Sequence, residues 1–134
     1  MNAVLVDSSV VLDIYTGDPV FFDRSLRCLA ARGAKGDLLI DEIVYAEVSI
    51  GFTRIEDLEA ALNGAGFRSA AIPREALFLA GKAFLAYKRR GGVKNTPLPD
   101  FFIGAHAAVA GIPLITRDPS RVRDAFPGVK IIEP

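Results

Sequence analysis

Tryptophan is absent from this chain, and cysteine, methionine and histidine occur once each, as Cys28, Met1 and His106. A single cysteine excludes an intrachain disulfide framework and a zinc site built from cysteines, and it fits a cytoplasmic location. No apolar run approaches the roughly 20 residues needed to cross a bilayer. The opening MNAVLVDSSVVL lacks the basic segment of a secretory signal, so no membrane association is expected. An excess of charge of either sign is also missing, because 16 basic residues balance 16 acidic ones. That balance argues against broad nucleic-acid coating, which depends on phosphate neutralisation. It leaves room for a nuclease with a small footprint, where a few local bases hold a phosphate and a metal handles the charge. The balance also conceals asymmetry: KRRGGVK at 88–94 is basic, whereas DEIVYAE and IEDLEA are acidic.

With 134 residues and 51% hydrophobic composition, residues 1–134 suffice for one domain with a substantial core. Ala3–Val6 reads as a strand covered on both faces, as in a parallel sheet. SSVVLDIYTG then reads as a short helix ending at Gly17, and Asp18-Pro19 as the cap and first turn of a helix running to about Arg32. Asp37–Ile40 is a second strand. Asp41 is placed to cap a helix from about Glu42 to Arg54, on which Ile43, Glu47, Ile50 and Arg54 share a stripe. A short helix is expected over 57–63, and 67–72 is ambiguous between strand and loop. A long helix from Pro73 stops at Gly91-Gly92, and GGVKNTPLP reads as a loop of functional length. An alanine-rich helix starts at Pro99-Asp100 and stops at Gly111. A strand over 112–116, a helical turn from Asp118-Pro119 through Val122, and an edge strand over 129–132 complete the pattern. This alternation predicts a three-layer α/β/α domain with a central, mainly parallel sheet.

Five acids interrupt runs that are otherwise apolar: Asp7 ends AVLVD, Asp41 ends DLLID, Glu47 sits within IVYAEVSIGF, Asp100 opens DFFIGAHAAVAG, and Asp118 closes PLITRD. A small core does not bury a carboxylate without a partner. If several converge, the natural partner is a divalent cation, and hard oxygen ligands suit Mg²⁺ or Mn²⁺. Open parallel sheets place their sites beyond the C-terminal strand ends, where Asp7 and Asp118 are expected. A right-handed crossover brings the start of the Asp100 helix towards the same edge, and Glu47 is one turn into its own helix. Each acid has a local explanation as well. Asp7 and Asp41 suit helix caps, Asp100 suits a helix N-terminus, Asp118 suits a turn before Pro119, and Glu47 has Arg54 as a possible ion-pair partner. Joint coincidence of these explanations is harder to accept than any one of them.

VLVDSSVVLD, IVYAEVSIGF, LPDFFIGAHAAVAGIPLITRD and FPGVKIIEP together resemble a PIN-domain ribonuclease, specifically the VapC-type toxin of bacterial toxin–antitoxin systems. The resemblance spans essentially the whole chain. Its four acidic positions match Asp7, Glu47, Asp100 and Asp118, and Thr116 matches the hydroxyl residue before the last acid. The pattern departs at Ser8-Ser9 and near Glu42, and neither departure removes one of these carboxylates. The resemblance implies a Mg²⁺- or Mn²⁺-dependent endoribonuclease in which the four acids hold one or two cations and water attacks in line, leaving a 5′-phosphate. Thr116 and Ser8 would orient the ligands. It also implies a cognate antitoxin partner, which would insert a segment near the acids, and a homodimer.

Arg117 and the block of Lys88, Arg89, Arg90 and Lys94 are the candidate RNA-phosphate contacts, although a basic helix C-terminus also explains that block. His106 is six residues beyond Asp100 and is expected on another face, as a structural histidine. Cys28, Phe84, Phe101 and Phe102 read as packing residues. Two other readings remain. One is a PIN-like interaction domain without catalysis, and the other is a receiver-type phosphotransfer domain, for which DSS at 7–9 supplies one acid where a pair is needed.

Overall fold

The computed structural model describes residues 2–91 and 98–134. In chain order the elements are β1 (Val4–Val6), α1 (Ser8–Thr16), α2 (Phe22–Gly33), β2 (Leu38–Ile40), α3 (Glu42–Ser49), α4 (Ile55–Gly64), β3 (Phe67–Ser69), α5 (Arg74–Arg89), α6 (Leu98–Ala110), β4 (Leu114–Ile115), α7 (Ser120–Ala125) and β5 (Ile131–Ile132). The strands form one five-stranded sheet in the order β3-β2-β1-β4-β5, and every neighbouring pair is parallel. Helices flank it, giving the three-layer α/β/α architecture. β1 is central, with Leu5 opposite both Leu39 and Leu114. All three β1 residues are buried, which is why VLV shows no polar alternation. The receiver alternative requires the order 2-1-3-4-5, so this sheet does not support it.

Connections from β1 step outward through β2 to β3, and the chain then returns across the sheet to β4 and β5. The direction of winding therefore reverses between β1 and β4, and their C-terminal ends open a crevice there. Asp7 leaves one of these strands and Thr116–Asp118 leave the other.

Helix α3 is shorter than the expected 42–54 span and ends at Ser49. The Ser49 hydroxyl donates back to the Ala46 carbonyl, and Gly51 follows, a weak helix former. Arg54 consequently lies outside α3 and pairs with Glu56 at 2.8 Å, so the expected stripe and the Glu47–Arg54 pairing are not formed. Helix α2 starts at Phe22 because Asp18 caps the preceding turn, accepting from the Val20 and Phe21 amides. Helix α6 begins at Leu98 with Pro99 in its first turn, where a missing N–H costs no hydrogen bond. Gly111 ends it at φ 68°, donating its amide to the Ala107 carbonyl. The 67–72 ambiguity resolves into a three-residue edge strand. The expected loop at 91–99 falls largely outside the described residues.

Helices α5 and α6 pack closely together. Buried Phe101 makes an edge-type contact with Phe84 at 5.5 Å between centroids and lies 5.6 Å from Tyr87, which makes Phe84 and Phe101 packing residues. Helix α7 seats on α6 at Gly104, where an added Cβ would lie 2.6 Å from Phe126 Cδ2 and 3.4 Å from Val122 Cγ1. Only glycine permits that approach, and it fixes α7 beside the crevice.

Candidate active site

Asp7 is held by three donors. The Ser8 amide reaches Oδ1 at 2.9 Å, while the hydroxyls of Ser9 and Thr116 reach Oδ2 at 2.9 and 2.8 Å. The backbone of Asp7 is extended at the N-cap of α1, and its carboxylate lines the crevice. Thr116 is buried, and its hydroxyl also accepts the Asp118 amide at 3.1 Å. One side chain thus connects the ends of β1 and β4 and sets the path of the chain into Asp118.

Asp7, Glu47, Asp100 and Asp118 all line a single cleft of about 380 Å³, together with Ser8, Ser9, Thr116, Ser120 and Arg121. The four acids come from the junction of β1 with α1, from α3, from α6 and from the turn after β4. Burial pushes the Asp7 carboxyl above its ordinary value, against the hydrogen bonds from Thr116 and Ser9, and the charge of Asp100 adds to the rise. Glu47 is raised chiefly by burial. The Ser8 side chain opposes this, and the charges of Asp7, Asp100 and Asp41 push it further. The charge of Asp100 thus reaches both Asp7 and Glu47. Asp118 is the most open of the four and is exposed.

Glu47 Oε1 is buried and has no hydrogen-bond partner, which is costly for a carboxylate oxygen unless a cation or proton compensates it. As the side chains stand, no group of three or more His, Cys, Asp or Glu residues among those described is disposed to hold a metal ion. Asp100 is instead engaged by Arg121, whose Nη1 lies 2.5 Å from Oδ2. The donor chemistry nevertheless fits a hard divalent cation, since Mg²⁺ retains several waters and needs only one or two carboxylates. The orphaned Glu47 oxygen and the raised carboxyls both mark a cleft with more negative charge than its own side chains balance.

The remaining sequence candidates fall elsewhere. Arg117 donates from Nε to the buried Asp13 at 2.8 Å and stacks over the Phe21 ring at 4.3 Å. Asp13 also accepts from the Ser25 hydroxyl at 2.7 Å. Lys88, Arg89 and Arg90 are exposed at the end of α5 and are not in the cleft, and Lys94 lies outside the described residues. Asp41 caps α3 through the Val44 amide, as expected, and pairs with His106 as well. Glu42 is a tie, accepting the Ile72 amide at 2.9 Å. Sequence reasoning missed Asp13 and Arg121. Asp13 interrupts VVLDIY just as Asp7 interrupts its own run, so the same signal was available. Arg121 carries no local signal, because only the fold brings it to Asp100.

A family model described as PIN domain matches residues 4–124, so the chain belongs to the PIN-domain family. Among solved structures, VapBC2 from Rickettsia felis bound to a DNA fragment from their promoter is similar, with 15% identity and a TM-score of 0.73 over 98% of both chains. VapBC-1 from nontypeable Haemophilus influenzae is 17% identical with a TM-score of 0.73, covering 98% of this chain and 97% of that one. FitAcB from Neisseria gonorrhoeae is 19% identical with a TM-score of 0.70, covering 96% of each. At these identities the likeness is one of fold. A comparison with curated proteins finds no match. No helix among the described residues is long and apolar enough to cross a membrane.

Proposed function

We propose that this chain is a Mg²⁺- or Mn²⁺-dependent endoribonuclease acting as the VapC-type toxin of a toxin–antitoxin pair in the cytoplasm, with residues 1–134 as one nuclease domain. The observation that carries this reading is the meeting of four carboxylates from four separate segments in one cleft at the C-terminal edge of the sheet. Membership of the PIN-domain family supports it. The similar structures are described as VapBC or FitAB assemblies, and one as a toxin–antitoxin complex from Klebsiella pneumoniae, which supports an antitoxin partner. A basic antitoxin side chain laid against the four acids would exclude cation and RNA together. A homodimer belongs to the same reading.

In this mechanism Asp7, Asp100 and Asp118 would hold the cation, and Glu47 would complete the set with its unpartnered oxygen. A divalent ion bound there would supply positive charge against the phosphate and make water a stronger acid for the attack. Thr116, Ser9 and the Ser8 amide fix the rotamer of Asp7, so its lone pairs are aimed before any ligand arrives. The Arg117–Asp13 pair holds the turn between Thr116 and Asp118 against α1, a positioning role. Lys88, Arg89 and Arg90, exposed at the end of α5, are RNA-phosphate contacts beyond the cleft, and Lys94 joins them as a contact by its place in the same basic block of sequence.

The Arg121–Asp100 pair favours a second reading, a PIN-like interaction domain without catalysis, because it occupies one of the acids. Cleavage assays separate the two. Purified wild-type chain with Mn²⁺ is expected to cut single-stranded RNA, and Asp7→Asn and Asp100→Asn to abolish cutting. Mapping of 5′ ends after brief production of wild type and Asp100→Asn should give discrete, Asp100-dependent sites. Absence of metal-dependent cuts would leave the non-catalytic reading.

A further inference from the structure

Arg121 is the one cationic side chain among the described residues that line the acidic cleft. It projects from the first turns of α7, a helix seated tightly on α6 through the contact of Gly104 with Phe126. Its backbone is therefore fixed close to Asp100, which α6 carries. The ion pair itself is only partly shielded, with side-chain exposures of 35% for Arg121 and 39% for Asp100. A pair of that exposure is weak enough to exchange partners. Arg117 cannot substitute, because Asp13 and the Phe21 ring already hold its guanidinium.

A planar guanidinium fits a carboxylate and a phosphate with the same forked geometry. The two possible partners of Arg121 differ in what else is bound. Without a cation, Asp100 adds to the negative charge around Asp7 and Glu47, and Arg121 is paired with Asp100. Once Asp100 serves as a cation ligand, its charge is compensated from the other side and Arg121 loses its electrostatic hold. The nearest new anion in a nuclease cleft is the RNA phosphate.

Resting on the nuclease reading above, we propose that Arg121 is an exchangeable counter-cation, paired with Asp100 in the ion-free cleft and with the substrate phosphate when Asp100 binds a divalent ion. This makes it a substrate-binding residue with an opposing effect on metal affinity.

Calorimetric titration with Mn²⁺ alone, without RNA, tests the first half. Arg121→Gln should bind Mn²⁺ about fivefold tighter than wild type, the scale of a partly exposed ion pair, and Arg121→Lys should stay near wild type. A short 2′-O-methyl RNA, which resists cleavage, tests the second half in the presence of Mn²⁺. Arg121→Gln should bind it about tenfold more weakly, with Arg121→Lys recovering part of the loss. Unchanged or weaker Mn²⁺ binding by Arg121→Gln, or unchanged oligonucleotide binding, overturns the proposal. If wild type binds Mn²⁺ and cleaves RNA while Arg121→Gln matches it in both titrations, the exchange role alone is lost. Wild type that neither binds Mn²⁺ nor cleaves RNA overturns this proposal and the nuclease reading together.

Discussion

Nδ1 of His106 lies 2.9 Å from Oδ2 of Asp41, with both side chains almost wholly buried. The contact joins a ring nitrogen to a carboxyl oxygen, and one hydrogen bond satisfies both buried groups. The other Asp41 oxygen caps α3 by accepting the Val44 amide at 3.0 Å. This single carboxylate therefore ties the N-terminus of α3 to α6, the helices that carry Glu47 and Asp100.

His106→Ala should destabilise the protein by about 3 kcal/mol, because it leaves a buried carboxyl oxygen of Asp41 without its hydrogen-bond partner. Asp41→Asn should cost less, since an amide oxygen can still cap the helix. Urea unfolding midpoints at constant slope measure both. A loss for His106→Ala no larger than for an exposed substitution would show the pair to be incidental.

Arg117→Ala should likewise destabilise by about 3 kcal/mol, since Asp13 is inaccessible and would be left with Ser25 alone. Arg117→Lys should recover part of this, because it retains the charge and loses the planar stacking on Phe21. Denaturant unfolding in the absence of RNA decides the matter. A residue that served only to bind phosphate would leave this measurement unchanged.

Glu47 gives a pH-dependent prediction. Its pKa in the folded protein lies above the 4.5 of a free glutamate, through burial first and then the charges of its acidic neighbours. Between those two values the folded state holds more protons than the unfolded chain, so stability falls as pH rises through that window. Glu47→Gln removes this ionisation. In chelator-treated protein, its melting temperature should exceed that of wild type at neutral pH, and the difference should vanish below 4.5. Catalysis, where the proposed function holds, should fall at the same time, as expected for a charge kept at the expense of stability.

Gly104→Ala should cost about 1–3 kcal/mol through overpacking against the Phe126 ring, which would lie 2.6 Å from the new Cβ. Gly104→Ala combined with Phe126→Leu should regain part of that loss, because the smaller side chain vacates the contact. Thermal unfolding of the single and double variants checks the coupling.

Much of the fold is legible from local pattern. Uninterrupted Val-Leu runs mark the buried parallel strands, and the turns at Gly17 and Gly111 punctuate the helices where expected. The 42–54 helix failed as a reading because apolar spacing continued past Ser49, while the serine and Gly51 ended the hydrogen bonding. For the cleft, acids set in apolar runs were enough to nominate Asp7, Glu47, Asp100 and Asp118. Asp13 stands in the same kind of run but is more deeply enclosed, and like Asp41, which reads as a cap, it is already satisfied in the fold, Asp13 by Arg117 and Ser25 and Asp41 by His106.

By itself the sequence determined which segments become strands and helices, since burial period and capping chemistry act over a few residues, and it determined which acids stand in apolar surroundings. Only the tertiary structure decided which charges face one another. Arg117 meets Asp13 across 104 positions, His106 meets Asp41 across 65, and Arg121 meets Asp100 across 21. Those partnerships depend on the sheet order and on the close seating of α7 on α6, which bring together side chains whose own neighbourhoods in the chain hold no trace of one another.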